Sequence, residues 1–164
     1  MTHLDVTIAV NAQRTTGRYR PLWNWFGHDE PNYTYTRNGV KLLGELTALS
    51  PEPVHMRTHN LLTSGDGQPA LKWGSTNAYS EGADGNPVYD WSVMDRIFDT
   101  YVAAGNVPFI QVGFTPEALS DDPGPYRHSW SLEDRYASIM TGWASPPNDL
   151  DKWDGLIEAW KEAR

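Results

Sequence analysis

What most constrains this 164-residue chain is the asymmetry of its connections. Stretches with strand character lead into long polar-aromatic loops and then into helical patterns, whereas each helix yields to the next strand within a few residues. "LDVTIAV" (Leu4–Val10) alternates loosely and is β-branched, which predicts a first strand, followed by the loop "QRTTGRYRPLWNWFGHDEPNYTY". "NGVKLLGELTAL" then spaces Leu42, Leu43, Leu46 and Leu49 for a helix that Pro51 stops. "PVHMR" is too short and too tightly bounded by prolines for a helix, so it predicts a buried strand.

After a second long loop, Asp90 is placed to cap a helix over Trp91–Ala104 that carries Val93, Met94, Ile97, Phe98, Tyr101 and Val102 on one side and ends at Gly105. Val107–Phe114 predicts a third strand. The final "DLDKWDGLIEAWKEAR" is amphipathic, with Leu150, Trp153, Leu156, Ile157 and Trp160 on one face. Asp149 and Asp151 stand at its start, and Lys161 and Arg164 at its end, as the helix dipole favours.

Strand–helix three times over predicts a parallel α/β sheet with right-handed crossovers. The strand-to-helix loops, roughly 20 to 35 residues on this reading, all fall on the C-terminal side of the strands. That is the working face of a (β/α)8 barrel. A doubly wound nucleotide-binding sheet would want a glycine-rich phosphate turn after the first strand, and neither G-x-G-x-x-G nor a P-loop occurs. Three units cannot close a barrel. The expected fold is therefore a partial (β/α)8 barrel of about the first three βα units, with residues 1–164 as one incomplete domain.

Composition narrows the function. A net charge of -8 and a pI near 4.9 repel phosphate backbones, so no nucleic-acid partner is expected. The absence of cysteine removes thiol chemistry and cysteine-type metal sites. "MTHLDVTIAV" has neither a basic n-region nor an apolar run fit for a signal peptide or membrane span, which predicts a cytoplasmic protein with no membrane partner. Eight Trp and eight Tyr, many in polar loops, suggest flat surfaces of the kind that stack on sugar rings.

The candidate chemistry sits at the strand ends. Arg57 and His59 stand two apart at the tip of the second strand, so their side chains point the same way. A buried arginine–carboxylate tie and a satisfied core histidine would account for the pair equally well. His55 and His59 form H-x-x-x-H, but on a strand they lie ~13 Å apart and no Glu follows the first His, so neither a metal nor any other cofactor is expected. Asp29 and Glu30 in the first loop and Glu117 beyond Phe114 are the acids that a two-carboxylate glycoside hydrolysis would draw on, and loop caps or solvated charges are the alternative. Asp84-Gly85 reads as a structural hairpin turn, and Asn32–Thr34 as a glycosylation sequon if the protein is secreted.

"FGHDEPNYTY", "RTHNLLTSGDG", "ALKWGSTNAYSEGADGNPVYDW", "DRIFDTY" and "PFIQVGFTPEALS" together resemble the N-terminal part of the catalytic domain of family 39 glycoside hydrolases, the β-xylosidases and α-L-iduronidases. The resemblance runs from about Trp23 to Trp160. It implies a hydrolase of O-glycosyl bonds in xylan and xylo-oligosaccharide metabolism, built on a (β/α)8 barrel and working as a retaining exo-glycosidase on a β-xyloside. It also implies that Arg57, His59, Phe26 and Phe114 line the glycone pocket, with His59 on a sugar hydroxyl. His28 and Thr115 depart from the F-G-A-D-E-P and G-F-M-P of most such relatives. The family's acid/base, the Glu of an Asn-Glu-Pro motif after the fourth strand, and its nucleophile at the seventh have no counterpart in this chain, and both are expected beyond Arg164. The chain then reads as a fragment inactive by itself, completed by the missing C-terminal part of the barrel. The other reading is a non-catalytic sugar-binding or regulatory remnant.

Overall fold

The computed structural model describes residues 4–20, 22–69, 74–124, 126 and 141–163. Strands β1 (Trp25–His28), β2 (Val54–Thr58) and β5 (Asn106–Ile110) form a parallel sheet in the order β1-β2-β5. Helices α1 (Arg37–Leu49), α2 (Ser92–Ala103) and α3 (Leu150–Glu162) follow the three strands in turn. A two-stranded antiparallel hairpin, β3 (Tyr79–Glu81) with β4 (Pro87–Tyr89), lies between β2 and α2. The expected parallel α/β order is present, with β1 and β5 each paired on one side among the described residues.

The first strand is not where its pattern put it. Leu4–Val10 forms no strand, and Leu4, Val6, Ile8 and Val10 are between 70% and 87% exposed. A strand needs a ladder partner and a face to bury, and alternation alone supplies neither. β1 comes instead from "WFGH" inside the supposed loop, where Trp25↔His55 through His28↔Thr58 register it on β2. The first β-to-α connection shrinks to residues 29–36, while β2 and α2 stay separated by residues 59–91 and β5 and α3 by residues 111–149, as long a separation as expected. β5 is also shorter than its apolar run, ending at Ile110 and leaving Phe114 in the following segment. Arg164 and residues 70–73, within the quoted similarity, lie outside the described residues.

Alternation in β2 sends Val54, Met56 and Thr58 into the core and leaves His55 and Arg57 on the opposite face. The core joins Val54 and Met56 to Leu43 of α1, Met94, Ile97 and Tyr101 of α2, and Leu156 of α3. α1 buries Leu43 and part-buries Leu46, whereas Leu42 and Leu49 stay exposed. Its start is set by the Thr36 hydroxyl, which accepts from the Gly39 amide at 3.1 Å. α2 starts one residue later than expected, with Trp91 rather than Asp90 as its N-cap, although the Asp90 carboxylate accepts from the Ser92 amide at 2.9 Å, and Gly105 closes the turn into β5 with φ +76°. Asp149 caps α3 through the Lys152 amide at 3.0 Å.

The hairpin turn lies at Asp84-Gly85 as read, with Gly85 at φ +75°. It is clipped to α3. Lys152 Nζ donates to Glu81 Oε1 at 2.7 Å and to the Gly85 carbonyl at 3.0 Å, and Tyr79 donates to the same carboxylate oxygen at 2.9 Å. Those two donors, Lys152 first, hold the Glu81 carboxyl below its ordinary value. Among the described residues no helix is long and apolar enough to cross a membrane.

Candidate functional site

The C-terminal ends of the three parallel strands gather the residues of interest. Gly27 of β1 pairs in register with Arg57, and Arg57 with Phe109 of β5, so these three share the face opposite the core. Arg57 Nη2 lies 3.7 Å from Asp29 Oδ1, both about half exposed, so the arginine–carboxylate tie exists but sits at the surface rather than in the core. Pairs of that kind are worth little as stability and matter for where the guanidinium points. Trp25, His55 and Phe109 continue the same face toward the other end of the ladder, with Trp25 stacked on His55 at 4.0 Å and edge-on to Phe109 at 5.3 Å.

Beyond the strand, the His59 amide donates to the His28 carbonyl at 3.2 Å, which extends the β1–β2 ladder by one rung. The His59 ring packs edge-on against Phe114 at 5.0 Å, and Phe114 lies nearly parallel to Trp143 at 6.0 Å. Tyr126 braces this wall, its ring edge-on to Trp143 at 6.2 Å and its hydroxyl donating to the Thr115 carbonyl at 2.7 Å. Thr115 itself is buried, and its hydroxyl donates to the Ser145 carbonyl at 2.7 Å. That hydrogen bond ties two loop segments together.

Arg57, His59 and Phe114 are thus brought to one end of the sheet. Phe26 differs. Its register partner Met56 is in the core, and Phe26 packs against that core while also bordering the groove formed by Trp25, Asp29, Arg57 and Phe109. The acids divide in the same way. Asp29 belongs to Arg57, the Glu30 carbonyl accepts from the Tyr33 amide, and Glu117 opens a short 3-10 turn whose first amide donates to Ser64 Oγ. His55 and His59 engage different aromatic partners, and among the described residues no group of three His, Asp or Glu side chains converges. Trp143 and Tyr126 carry no signal of their own in the sequence, because a lone aromatic in a loop has no period to mark it.

The neighbouring loops are set by Asn32. Its amide donates to the Ser75 carbonyl at 2.8 Å and its oxygen accepts from the Ser75 amide at 2.6 Å, so it imitates a strand partner between the first and second loops. On the core side of β1, His28 Nδ1 is 2.9 Å from the Tyr101 hydroxyl and 3.4 Å from Thr34 Oγ1, and Thr34 donates to the Tyr101 oxygen at 3.2 Å. Burial holds the His28 imidazole below its ordinary value, with Asp29 opposing in part. A group depressed in this way stays neutral in the fold and gains a proton more readily when unfolded. Its contribution is complete above the unfolded value of about 6.5 and is lost as pH falls through that value toward the folded one. The melting temperature is expected to drop over this acid limb by a larger margin in the native chain than in His28→Gln. Equal drops measured by calorimetry would refute the assignment.

No family model matches the chain. Over 73 residues, 44% of the chain, it is 36% identical to a β-xylosidase of Geobacillus stearothermophilus, of which this covers 12%. Its structure superimposes on a family 39 glycoside hydrolase (GH39) from Xanthomonas axonopodis pv. citri with a TM-score of 0.60 at 22% identity, covering 85% of the chain and 23% of that enzyme. A monomeric β-xylosidase from Caulobacter crescentus gives a TM-score of 0.57 at 24% identity, with 83% and 23% covered. Part of the chain is therefore related to the family 39 glycoside hydrolases, and the chain spans about a quarter or less of the length of these relatives.

Proposed function

We propose that this chain forms part of the glycone pocket of a retaining β-xylosidase-like exo-glycosidase, as the first three βα units of a (β/α)8 barrel. The observation that carries the reading is the ring cluster of His59, Phe114 and Trp143 just beyond the C-terminal end of β2, with Arg57 two residues before His59 in that strand. In a barrel that end holds the substrate. Arg57 and His59 supply hydrogen bonds to sugar hydroxyls, and Phe114 with Trp143 supplies a flat apolar wall for the ring. The acid/base and nucleophile come from strands other than these three, which complete the barrel at the free edges of β1 and β5. Its partners are then a β-xyloside and those strands.

The test is a nuclear magnetic resonance titration of the chain with methyl β-xyloside up to high millimolar concentration. The signals of His59, Phe114 and Trp143 should move together, and His59→Ala should weaken binding about tenfold with little change in melting temperature, since one lost hydrogen bond to ligand is worth about 1.4 kcal/mol. Shifts confined to the outer faces of the helices, or none at all, would refute the pocket. A collapse in melting temperature with unchanged affinity would return His59 to a structural role.

A further inference from the structure

The hydroxyl protons around His28 can be counted. Thr34 donates to the Tyr101 oxygen at 3.2 Å, so the single proton of Tyr101 is free to point at His28 Nδ1, 2.9 Å away. That assigns Nδ1 as acceptor and leaves the ring's proton on Nε2. Protonating Nδ1 turns it into a donor. The Tyr101 oxygen would then accept from His28, and one hydroxyl proton would lose its acceptor, either that of Tyr101 or, if Tyr101 turns to donate to Thr34, that of Thr34, and both residues are fully buried. Tyr101 is itself held protonated by burial, well above the ordinary tyrosine value, so it cannot relieve the conflict by ionising. The arrangement accepts a neutral ring and resists a charged one.

Two residues connect this network to the site. The His28 carbonyl accepts from the His59 amide at 3.2 Å. The Asp29 carbonyl accepts from the Asn60 side chain at 3.1 Å, and the Asp29 carboxylate faces Arg57 at 3.7 Å. Asn60 is buried and left-handed, with φ +58°, a conformation that asparagine tolerates better than most residues. The dipeptide His28–Asp29 thus holds Arg57, His59 and Asn60 from one side, while its ring is locked to α2 from the other. We propose that His28 is a positioning residue, one that acts through the end of β1 to set Arg57 and His59, and releases them when it takes up a proton. The meaning of this for sugar binding rests on the function proposed above, whereas the mechanical link does not.

The groups facing His28 are few among the described residues. α2 contributes Tyr101, the first loop contributes Thr34, and β2 contributes its register partner Thr58, a buried hydroxyl with no hydrogen-bond partner in that set. Asp29, next in the chain, is the one charge, and it favours the protonated ring.

The experiment is a pH titration of the whole chain followed by nuclear magnetic resonance, reading the His28 ring, the His59 amide and the Arg57 Nε–H together. The latter two are expected to shift with the midpoint of the His28 ring, below the ordinary histidine value. In His28→Gln, whose side-chain oxygen still accepts from Tyr101, both site signals should stay at their neutral-form positions through that range. In His28→Ala they should be displaced at every pH, and if that variant fails to fold, the glutamine variant decides. Methyl β-xyloside affinity should fall about fivefold on the acid side in the native chain and not in the glutamine variant, a factor at the lower end of couplings between sites. Site signals that ignore the His28 midpoint would overturn the proposal, as would an unchanged titration in His28→Gln, which would point to His59 titrating by itself. Absence of sugar binding at any pH would instead count against the proposed function, with the coupled shifts still deciding the role of His28.

Discussion

A nitrophenyl β-xyloside is expected to survive incubation with the purified chain across the mildly acidic to neutral range. Retaining hydrolysis needs an acid and a nucleophile with carboxyl groups about 5–5.5 Å apart on either side of the scissile bond. The strand ends offer instead an arginine, a histidine and two stacked aromatics, and the carboxylate beside them, Asp29, is engaged with Arg57. Glu30 lies in the first loop, where its carbonyl closes a 3-10 turn, and Glu117 opens another such turn over Ser64. Binding groups alone forgo the six or more orders of magnitude that enzymes typically supply, so the expected rate is about that of buffer. The assay is release of nitrophenolate. Turnover above background that vanishes in Glu30→Gln or Glu117→Gln would show that these acids form a catalytic pair after all.

Leu156→Ala is expected to lower stability by about 3 kcal/mol, whereas Leu150→Ala on the same helix should stay within about 0.5 kcal/mol. Leu156 is 0% exposed and packs with Met94 and Leu62 where α3 meets the rest of the core, while Leu150 is 68% exposed. For a chain of this size the first change corresponds to a fall of about 10 °C in melting temperature, and the second to almost none. Equal effects from the two, measured by thermal unfolding followed by circular dichroism, would mean that α3 does not share a core with α1 and α2.

That pair of leucines also shows what the sequence could and could not disclose. Period 3.6 placed Leu150, Trp153, Leu156, Ile157 and Trp160 on one face, yet a face is a direction, and how far along it the neighbouring core extends is a tertiary fact. The same limit applies to Leu42 and Leu49 in α1, both exposed. β2 was legible because two prolines and a clean alternation bound it, and α2 because Asp90 and Gly105 mark its ends. β1 was hidden, since four residues with a glycine in the middle carry no pattern, and their strand character comes from β2 alongside. Arg57 and His59 could be read from spacing and from the family likeness. The His28–Tyr101–Thr34 network could not, because Tyr101 lies 73 residues from His28 and 67 from Thr34 and meets them only once α2 docks on the sheet.

The double bond-making of Asn32 with Ser75 bears on covalent modification. Asn32-Tyr33-Thr34 satisfies the acceptor pattern for N-linked glycans, but Asn32 is 1% exposed and Thr34 0%, and the amide nitrogen that would carry the sugar is already donating to Ser75. A transferase that needs this tripeptide extended and accessible finds neither in the folded chain. A glycan attached earlier would occupy the nitrogen that joins the first loop to the second, with no room around it for even one sugar. Modification and folding at this position are therefore mutually exclusive, whichever compartment the protein passes through.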